Sequence, residues 1–163
     1  MTVCTGNICR SPMAEVVLTE RLDAAGLGDR VLVDSTGVSD EEHGNPVDRR
    51  ARTALTARGY QVPQRAARQV RASDLSRRDL VLAMTSAHAR ALRRLGGEDL
   101  ADRVVMYRSF DPAAPDGPEH ALDVADPWYG GASDFELCLD EIEAAADGVV
   151  AHVRAALGVA DPA

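Results

Sequence analysis

The sequence contains no lysine: all 18 of its strongly basic residues are arginine. A lysine-based phosphate loop is therefore excluded. Cysteine is scarce, with three residues, and an odd number argues against a secreted disulfide framework. Long apolar runs are missing too. The longest, Leu80 to Met84, is far too short to span a bilayer. Nothing long and apolar precedes Cys4, so no signal peptide is expected. His43, His88, His120 and His152 have no metal-ligand spacing, and each is expected on the surface or at a cap. There is no internal repeat and no low-complexity tract. A net charge of −8 argues against nucleic acids and anionic membranes as partners. What these absences leave is a cytoplasmic globular chain, with a monomer favoured. Its 163 residues suit one domain over 1–163, and an apolar share of 45% is ordinary for such a domain.

What is present concentrates near the start, in Cys4-Thr5-Gly6-Asn7-Ile8-Cys9-Arg10-Ser11-Pro12-Met13-Ala14-Glu15. Read physically, this is a cradle for a phosphate dianion. A turn opened by Gly6 aims successive backbone N–H groups inward. Pro12 fits the first turn of a helix, whose free N–H groups and dipole add to the same spot. Arg10 adds a planar fork suited to phosphate oxygens. Cys4, aimed into that field, is expected to act as a thiolate nucleophile.

Along the chain, Met1 to Val3 end a first strand, and Pro12 to Ala25 read as a helix stopped by Gly26. Val31-Leu32-Val33 reads as a short buried strand. Gly37 to Pro46 is an acidic loop carrying Asp40, Glu41 and Glu42. Asp48 is placed to cap a helix running to Gly59, with Arg49, Arg50 and Arg52 on a solvated face. Leu80 to Met84 has the continuous apolar character of a buried parallel strand. A helix from Ser86 to Leu95 and a strand Val104 to Tyr107 follow. Ser109 to Gly131 is a long loop, and loops of that length are usually functional. Ala132 to Leu157 reads as helix, with a break expected near Gly148. Strands alternating with helices predict an α/β fold, its ligand at the carboxyl ends of a parallel sheet.

A thiolate attacking phosphorus must expel an alkoxide or phenoxide, which wants a proton from a carboxylic acid. The long loop offers Asp111, Asp116, Asp123 and Asp126, and spacing alone does not choose among them.

Cys4 to Glu15 resembles the signature of the low-molecular-weight protein tyrosine phosphatases. The resemblance recurs at Ser35-Thr36-Gly37, Ala67-Arg68-Gln69, Asp79 to Met84 and Asp126-Pro127-Trp128-Tyr129. It implies a single domain with a four-stranded parallel sheet, helices on both faces and a phosphate-binding loop after the first strand. It implies a metal-free hydrolase acting on phosphotyrosine proteins through a cysteinyl phosphate, with no cofactor. By this resemblance Cys4 is the nucleophile, Arg10 the phosphate ligand and Asp126 the general acid, later the base. Thr5, Gly6, Asn7, Ile8, Cys9 and Ser11 would form the cradle; Asn7 would hold its strained backbone and Ser11 would hydrogen-bond the Cys4 sulfur. Trp128, where the family more often has tyrosine, and Tyr129 would wall the substrate ring. Cys9 would form a reversible disulfide with Cys4, or else pack as a buried thiol. Family members often carry an aromatic residue in the region of Gly37 to Pro46, where this chain has its acidic rim.

Three competing readings follow from the same residues. Thioredoxin-coupled arsenate reductases share the fold but need a further mid-chain cysteine pair, which is missing here. Arginine phosphatases carry threonine where this chain has Ile8, whose apolar bulk favours a phenyl ring. A non-catalytic phosphate-binding module would have no use for Cys4, Arg10 and Asp126 together. In the family several apolar residues precede the nucleophile, whereas here Met1, Thr2 and Val3 supply roughly 10 Å of strand. The expectation is a shortened central strand with unpaired neighbours, or a true start upstream of Met1.

Overall fold

The computed structural model describes residues 1–160; the last three positions of the expected domain, 161–163, lie outside the described residues. Four strands form one sheet: β1 (Thr2–Cys4), β2 (Ser35–Gly37), β3 (Val81–Ala83) and β4 (Val104–Met106). Their order is β2-β1-β3-β4 and every pairing is parallel. The helices are α1 (Arg10–Ala24), α2 (Arg49–Ala57), α3 (Ala72–Ser76), α4 (Ser86–Gly96), α5 (Glu98–Ala101) and α6 (Ala132–Ala156).

The alternation of side chains along the strands sorts the core into two layers. Val3, Val81, Ala83, Val104 and Met106 pack with Leu75, Ala89 and Leu92 from α3 and α4. On the other face Cys4, Leu82 and Met84 pack with Met13 and Val17 of α1, Leu55 of α2, and Phe135, Leu139 and Ile142 of α6. Both faces are covered, which is why β3 reads as an unbroken apolar run. The chain leaves β1 through α1 to reach β2 and leaves β3 through α4 to reach β4, in opposite lateral directions. The carboxyl end of β1 therefore lies at the switch point where open α/β sheets bind ligands.

Several local expectations are corrected. Val31 to Val33 is not a strand: Leu32 is 73% exposed, and β2 is the polar triplet that follows. Buried Ser35 and Thr36 carry hydrogen-bonding groups needed beneath the loop after β1, and that requirement outweighs the apolar preference of the earlier triplet. Nor is β1 short relative to its partners, since each strand spans three residues. Thr2 N–H donates to Asp34 O, and Met1 O and Val3 O accept from Leu82 and Met84. Arg50 is 38% exposed in its side chain and also reaches across to the long loop, as described below. Asp48 does cap α2, accepting from Arg50 N–H at 2.7 Å. The long loop contains two 3-10 turns, Tyr107–Phe110 and Glu119–Leu122. Among the described residues no helix is long and apolar enough to cross a membrane.

Helix α6 runs through Gly148 unbroken. The glycine is there for space, because a Cβ at this position would collide with the carbonyl of Phe110. Gly→Ala inside a helix ordinarily stabilises by about 1 kcal/mol. Here the collision reverses the sign, and overpacking of this kind costs about 1–3 kcal/mol. Gly148→Ala is expected to lower the melting temperature by several degrees in a thermal scan, while Ala144→Gly on the exposed side of the same helix shows only the ordinary glycine penalty.

Candidate active site

The chain turns sharply after Cys4. Asn7 adopts a left-handed backbone, φ 61°, the one non-glycine residue with positive φ among those described. Its side chain holds it there. Nδ2 donates to Ser11 Oγ at 2.9 Å and Ser35 Oγ at 2.8 Å. Oδ1 accepts from Arg65 Nη2 at 2.7 Å and from Arg68 N–H at 3.1 Å. Arg65 Nη1 also donates to Asn7 O at 3.2 Å. Gly37 permits the close approach of β2, since a Cβ there would stand 2.5 Å from Thr5 O. Val38 and Ser39 N–H groups then tie down the carbonyls of Cys4 and Thr5.

This arrangement uses the loop's carbonyls and spares its amides. The backbone N–H groups from Gly6 to Ser11 meet no acceptor among the described residues. Buried Arg10 Nε also lacks a partner. Buried donors are almost always satisfied, so this concentration of free ones around Cys4 marks an anion site. Helix α1 begins at Arg10, with Cys9 rather than Ser11 in the capping position, and adds its dipole. Cys4 is 3% exposed, with Sγ 3.0 Å from Ser11 Oγ. Ser11 has a single hydroxyl proton and two candidate acceptors, Cys4 Sγ and Thr36 O at 3.2 Å.

Of the four loop carboxylates, one reaches this cradle. Asp126 Oδ2 accepts from Arg10 Nη2 at 2.7 Å. Asp123 caps the start of α4 through Ser86 N–H at 2.6 Å. Asp111 is buried against Arg108 and Ala113 N–H, and Asp116 is exposed outside the cavity. The Asp126 segment is pinned on both sides. Val124 N–H donates to Met84 O, and Ala125 N–H to Glu141 Oε2. Arg50 donates to the carbonyls of Trp128 and Gly130 at 3.0 Å each, and its guanidinium lies 5.6 Å from the Trp128 ring centre.

An open cavity of about 180 Å³ joins these parts. Residues of the Cys4–Arg10 loop line it together with Asp126, Trp128 and Tyr129 of the long loop and Glu41 and Glu42 of the acidic loop; Ile8, Cys9, Thr5 and Gly6 are among them. Asn7 and Ser11 are fully buried and do not line it. Tyr129 is 94% exposed and Trp128 37%. Burial, then the nearby Asp48 carboxylate, raises the Cys9 thiol far above its ordinary range. Cys138 is fully buried in α6 and does not line the cavity. Among the described residues no group of three or more His, Cys, Asp or Glu is placed to hold a metal ion.

The family model described as "Low molecular weight phosphotyrosine protein phosphatase" matches residues 1–158. The low molecular weight protein-tyrosine-phosphatase of Streptomyces coelicolor is 48% identical over 153 residues, which cover 93% of this chain and 91% of that protein. A protein tyrosine phosphatase of Entamoeba histolytica, crystallised with Hepes in its active site, superposes with a TM-score of 0.86 at 29% identity, covering 96% of each chain. The chain belongs to the low-molecular-weight phosphotyrosine protein phosphatase family. The fold is also shared with a solved arginine phosphatase, with a TM-score of 0.78 at 27% identity over 94% of this chain and 93% of that one.

Three residues of this phosphatase escape a reading of the sequence. Arg65 and Arg50 stand in segments whose spacing carries no signal. His88 is not a surface or capping histidine: it is buried, with Nε2 2.9 Å from Thr5 Oγ1 and Nδ1 without a partner. Thr5 Oγ1 also accepts from Arg10 Nη2 at 3.4 Å. Burial, and then the Arg10 charge, lower the His88 pKa to about 4. The unfolded chain binds this proton below an ordinary pKa of about 6.5, while the folded chain binds it only below about 4. Stability contributed by neutral His88 is therefore full above pH 6.5 and is lost as pH falls toward 4. His88→Asn is expected to flatten the fall in melting temperature between those limits. An equally steep fall in the variant would assign the acid sensitivity to other groups.

Proposed function

We propose that this phosphatase hydrolyses phosphotyrosine in two steps at Cys4, without a metal or cofactor. The observation that carries the reading is the set of free N–H groups around Cys4, joined by buried Arg10 Nε. Three phosphoryl oxygens have there the donors that their charge requires. Ser11 donates its single proton to the Cys4 thiolate and gives up Thr36 O. The thiolate attacks phosphorus, the P–O bond to the tyrosine breaks, and protonated Asp126 gives the leaving oxygen its proton. A water then attacks the cysteinyl phosphate, Asp126 takes its proton, the P–S bond breaks, and phosphate leaves with Cys4 again a thiolate.

The Arg10–Asp126 ion pair fits this sequence. An arriving dianion competes with the carboxylate for the guanidinium and takes its place. Apolar Ile8 and the Trp128 wall favour a phenyl ring over a phosphoguanidinium. An arsenate-reducing relay lacks its third thiol, since Cys138 is fully buried and does not line the cavity. The substrates in this reading are cytoplasmic phosphotyrosine proteins, met by a monomer.

Metal-free turnover of aryl phosphate, phosphotyrosine peptide, phosphoarginine and arsenate, side by side, tests this. Phosphotyrosine is expected to lead, and faster phosphoarginine would overturn the substrate. Cys4→Ser is expected to abolish turnover and keep phosphate binding. Asp126→Ala should slow phenyl phosphate at least about tenfold more than 4-nitrophenyl phosphate, whose leaving group needs little protonation. An equal loss on both would remove Asp126 as the acid.

Cys9 lines the same cavity as Cys4, and burial keeps it a thiol. Peroxide is expected to oxidise Cys4 to a sulfenic acid that Cys9 converts to a disulfide with loss of water. Activity should then return with dithiothreitol, and phosphate should protect. Irreversible loss in Cys9→Ser, against reversible loss in the parent, is the expected contrast. Identical behaviour of the two would leave Cys9 as packing.

A further inference from the structure

The cavity's carboxylates differ in what they meet. The free amides and the unpartnered Nε of Arg10, a residue 5% exposed, fix where a phosphoryl group goes. Asp126 is paired with Arg10 at 2.7 Å, whereas Glu41 and Glu42, which line the same cavity as Trp128 and Tyr129, have no cationic partner among the described residues.

The acidic segment is built, not merely solvated. Ser39 N–H donates to Thr5 O at one end of the segment, and Gly44 and Asn45 pair with Ala67 at the other. Between them His43 N–H closes a turn onto Asp40 O, and Glu41 N–H is held by Ser39 Oγ at 3.1 Å. The stem of Glu42 lies over Gly6, since a Cβ on that glycine would stand 2.8 Å from Glu42 Cγ. Its carboxylate accepts from Asn45 Nδ2 at 2.7 Å. Asn45 is uncharged, so this bond fixes the position of the charge without cancelling it. Glu41 is exposed and its carboxylate has no partner among the described residues. Asp40 and His43 line a separate hollow with Arg68 and Arg71. Arg50, beside Trp128, is paired with Asp48 at 3.0 Å and bonded to two carbonyls.

A phosphotyrosine seated with its phosphate on the cradle thus leaves its flanking residues beside uncompensated carboxylates. We propose that Glu41 and Glu42 make this enzyme select phosphotyrosines flanked by arginine or lysine and reject those flanked by aspartate or glutamate. The inference rests on phosphotyrosine being the substrate. Each close charge pair at the mouth of a solvated cleft is worth roughly three- to fivefold in kcat/KM, attraction and repulsion acting in opposite directions on the two peptide classes. Much of this acts at a distance and is screened by salt.

The test uses three phosphotyrosyl peptides that differ only in the residues beside the phosphotyrosine: arginine, alanine or glutamate. Rates are divided by each protein's own rate on 4-nitrophenyl phosphate, which has no flanks. The parent is expected to prefer the arginine peptide over the glutamate peptide by about tenfold or more at low salt, and by much less in about 0.5 M salt. Glu41→Gln with Glu42→Gln keeps the shape and the Asn45 bond and should bring the preference to about twofold or less. Glu41→Gln alone, at an exposed site, should give an intermediate value. Equal rates on the three peptides in the parent, or a preference that survives in the double variant, would overturn the inference and leave the phosphotyrosine reading intact. Turnover of 4-nitrophenyl phosphate with none of the peptides would overturn both.

Discussion

The structure depends on one residue held in a conformation it does not prefer. A left-handed backbone at a non-glycine residue costs about 1 kcal/mol or more, and Asn7 is fixed there by every hydrogen-bonding group of its side chain. The partners come from α1, from β2 and from the segment before α3. The loop's conformation is therefore held by three separate parts of the chain. At about 0.5–1.5 kcal/mol for each hydrogen bond, the set outweighs the strain. What it produces is a run of amides with nothing to bind except a ligand. Arg65 reaches both Asn7 and Glu15 and so joins this support to α1.

The rest of the site exploits that fixed point. Arg10 lies at the same loop and divides its fork, Nη2 donating to Asp126 at 2.7 Å and Nη1 to Val124 O at 3.3 Å. In the proposed reaction this keeps the carboxyl close to the leaving oxygen. Its segment is anchored by Val124, Ala125 and Arg50. Arg10 and Asp126 are 116 residues apart in the chain, yet both rest on short, well-bonded backbone segments.

How much of this is legible in the sequence depends on the range over which each residue is constrained. Cys4 to Ser11 is readable because a phosphate loop is local: a glycine, a fork and a helix start must follow one another. Helix α2 is readable because its cap and its stop are local too. Asp126 is chosen by family resemblance and not by spacing, since Asp111, Asp116 and Asp123 are equally plausible until the loop is folded. The misreadings share a cause. Val31 to Val33 has the composition of a strand, but the ladder position belongs to whichever residues can feed hydrogen bonds upward to Asn7. Gly148 looks like a helix breaker because the carbonyl of Phe110 that requires it lies 38 residues away in sequence. Arg65 and His88 act through tertiary contacts, as does Arg50 beyond its local pairing with Asp48, and nothing near them in the chain announces those contacts.

A chain with net charge −8 appears ill suited to binding dianions, and the site explains why it is not. Net charge governs the field at long range, which salt reduces within about 8–10 Å. Affinity for phosphate is generated inside that distance, by backbone dipoles that do not enter the formal charge and by one buried guanidinium. Most other arginines near the site are already committed: Arg50 to Asp48, Arg68 to Asp34 and Asp74, Arg65 to Glu15. The cradle is therefore a local positive spot in a negative surface, and Glu41 and Glu42 bring that surface to its very edge. Such a boundary separates two functions that a uniformly basic cleft would merge. The phosphoryl group is held by donors at contact range, while the charge of everything attached to it is read by carboxylates a few ångströms further out.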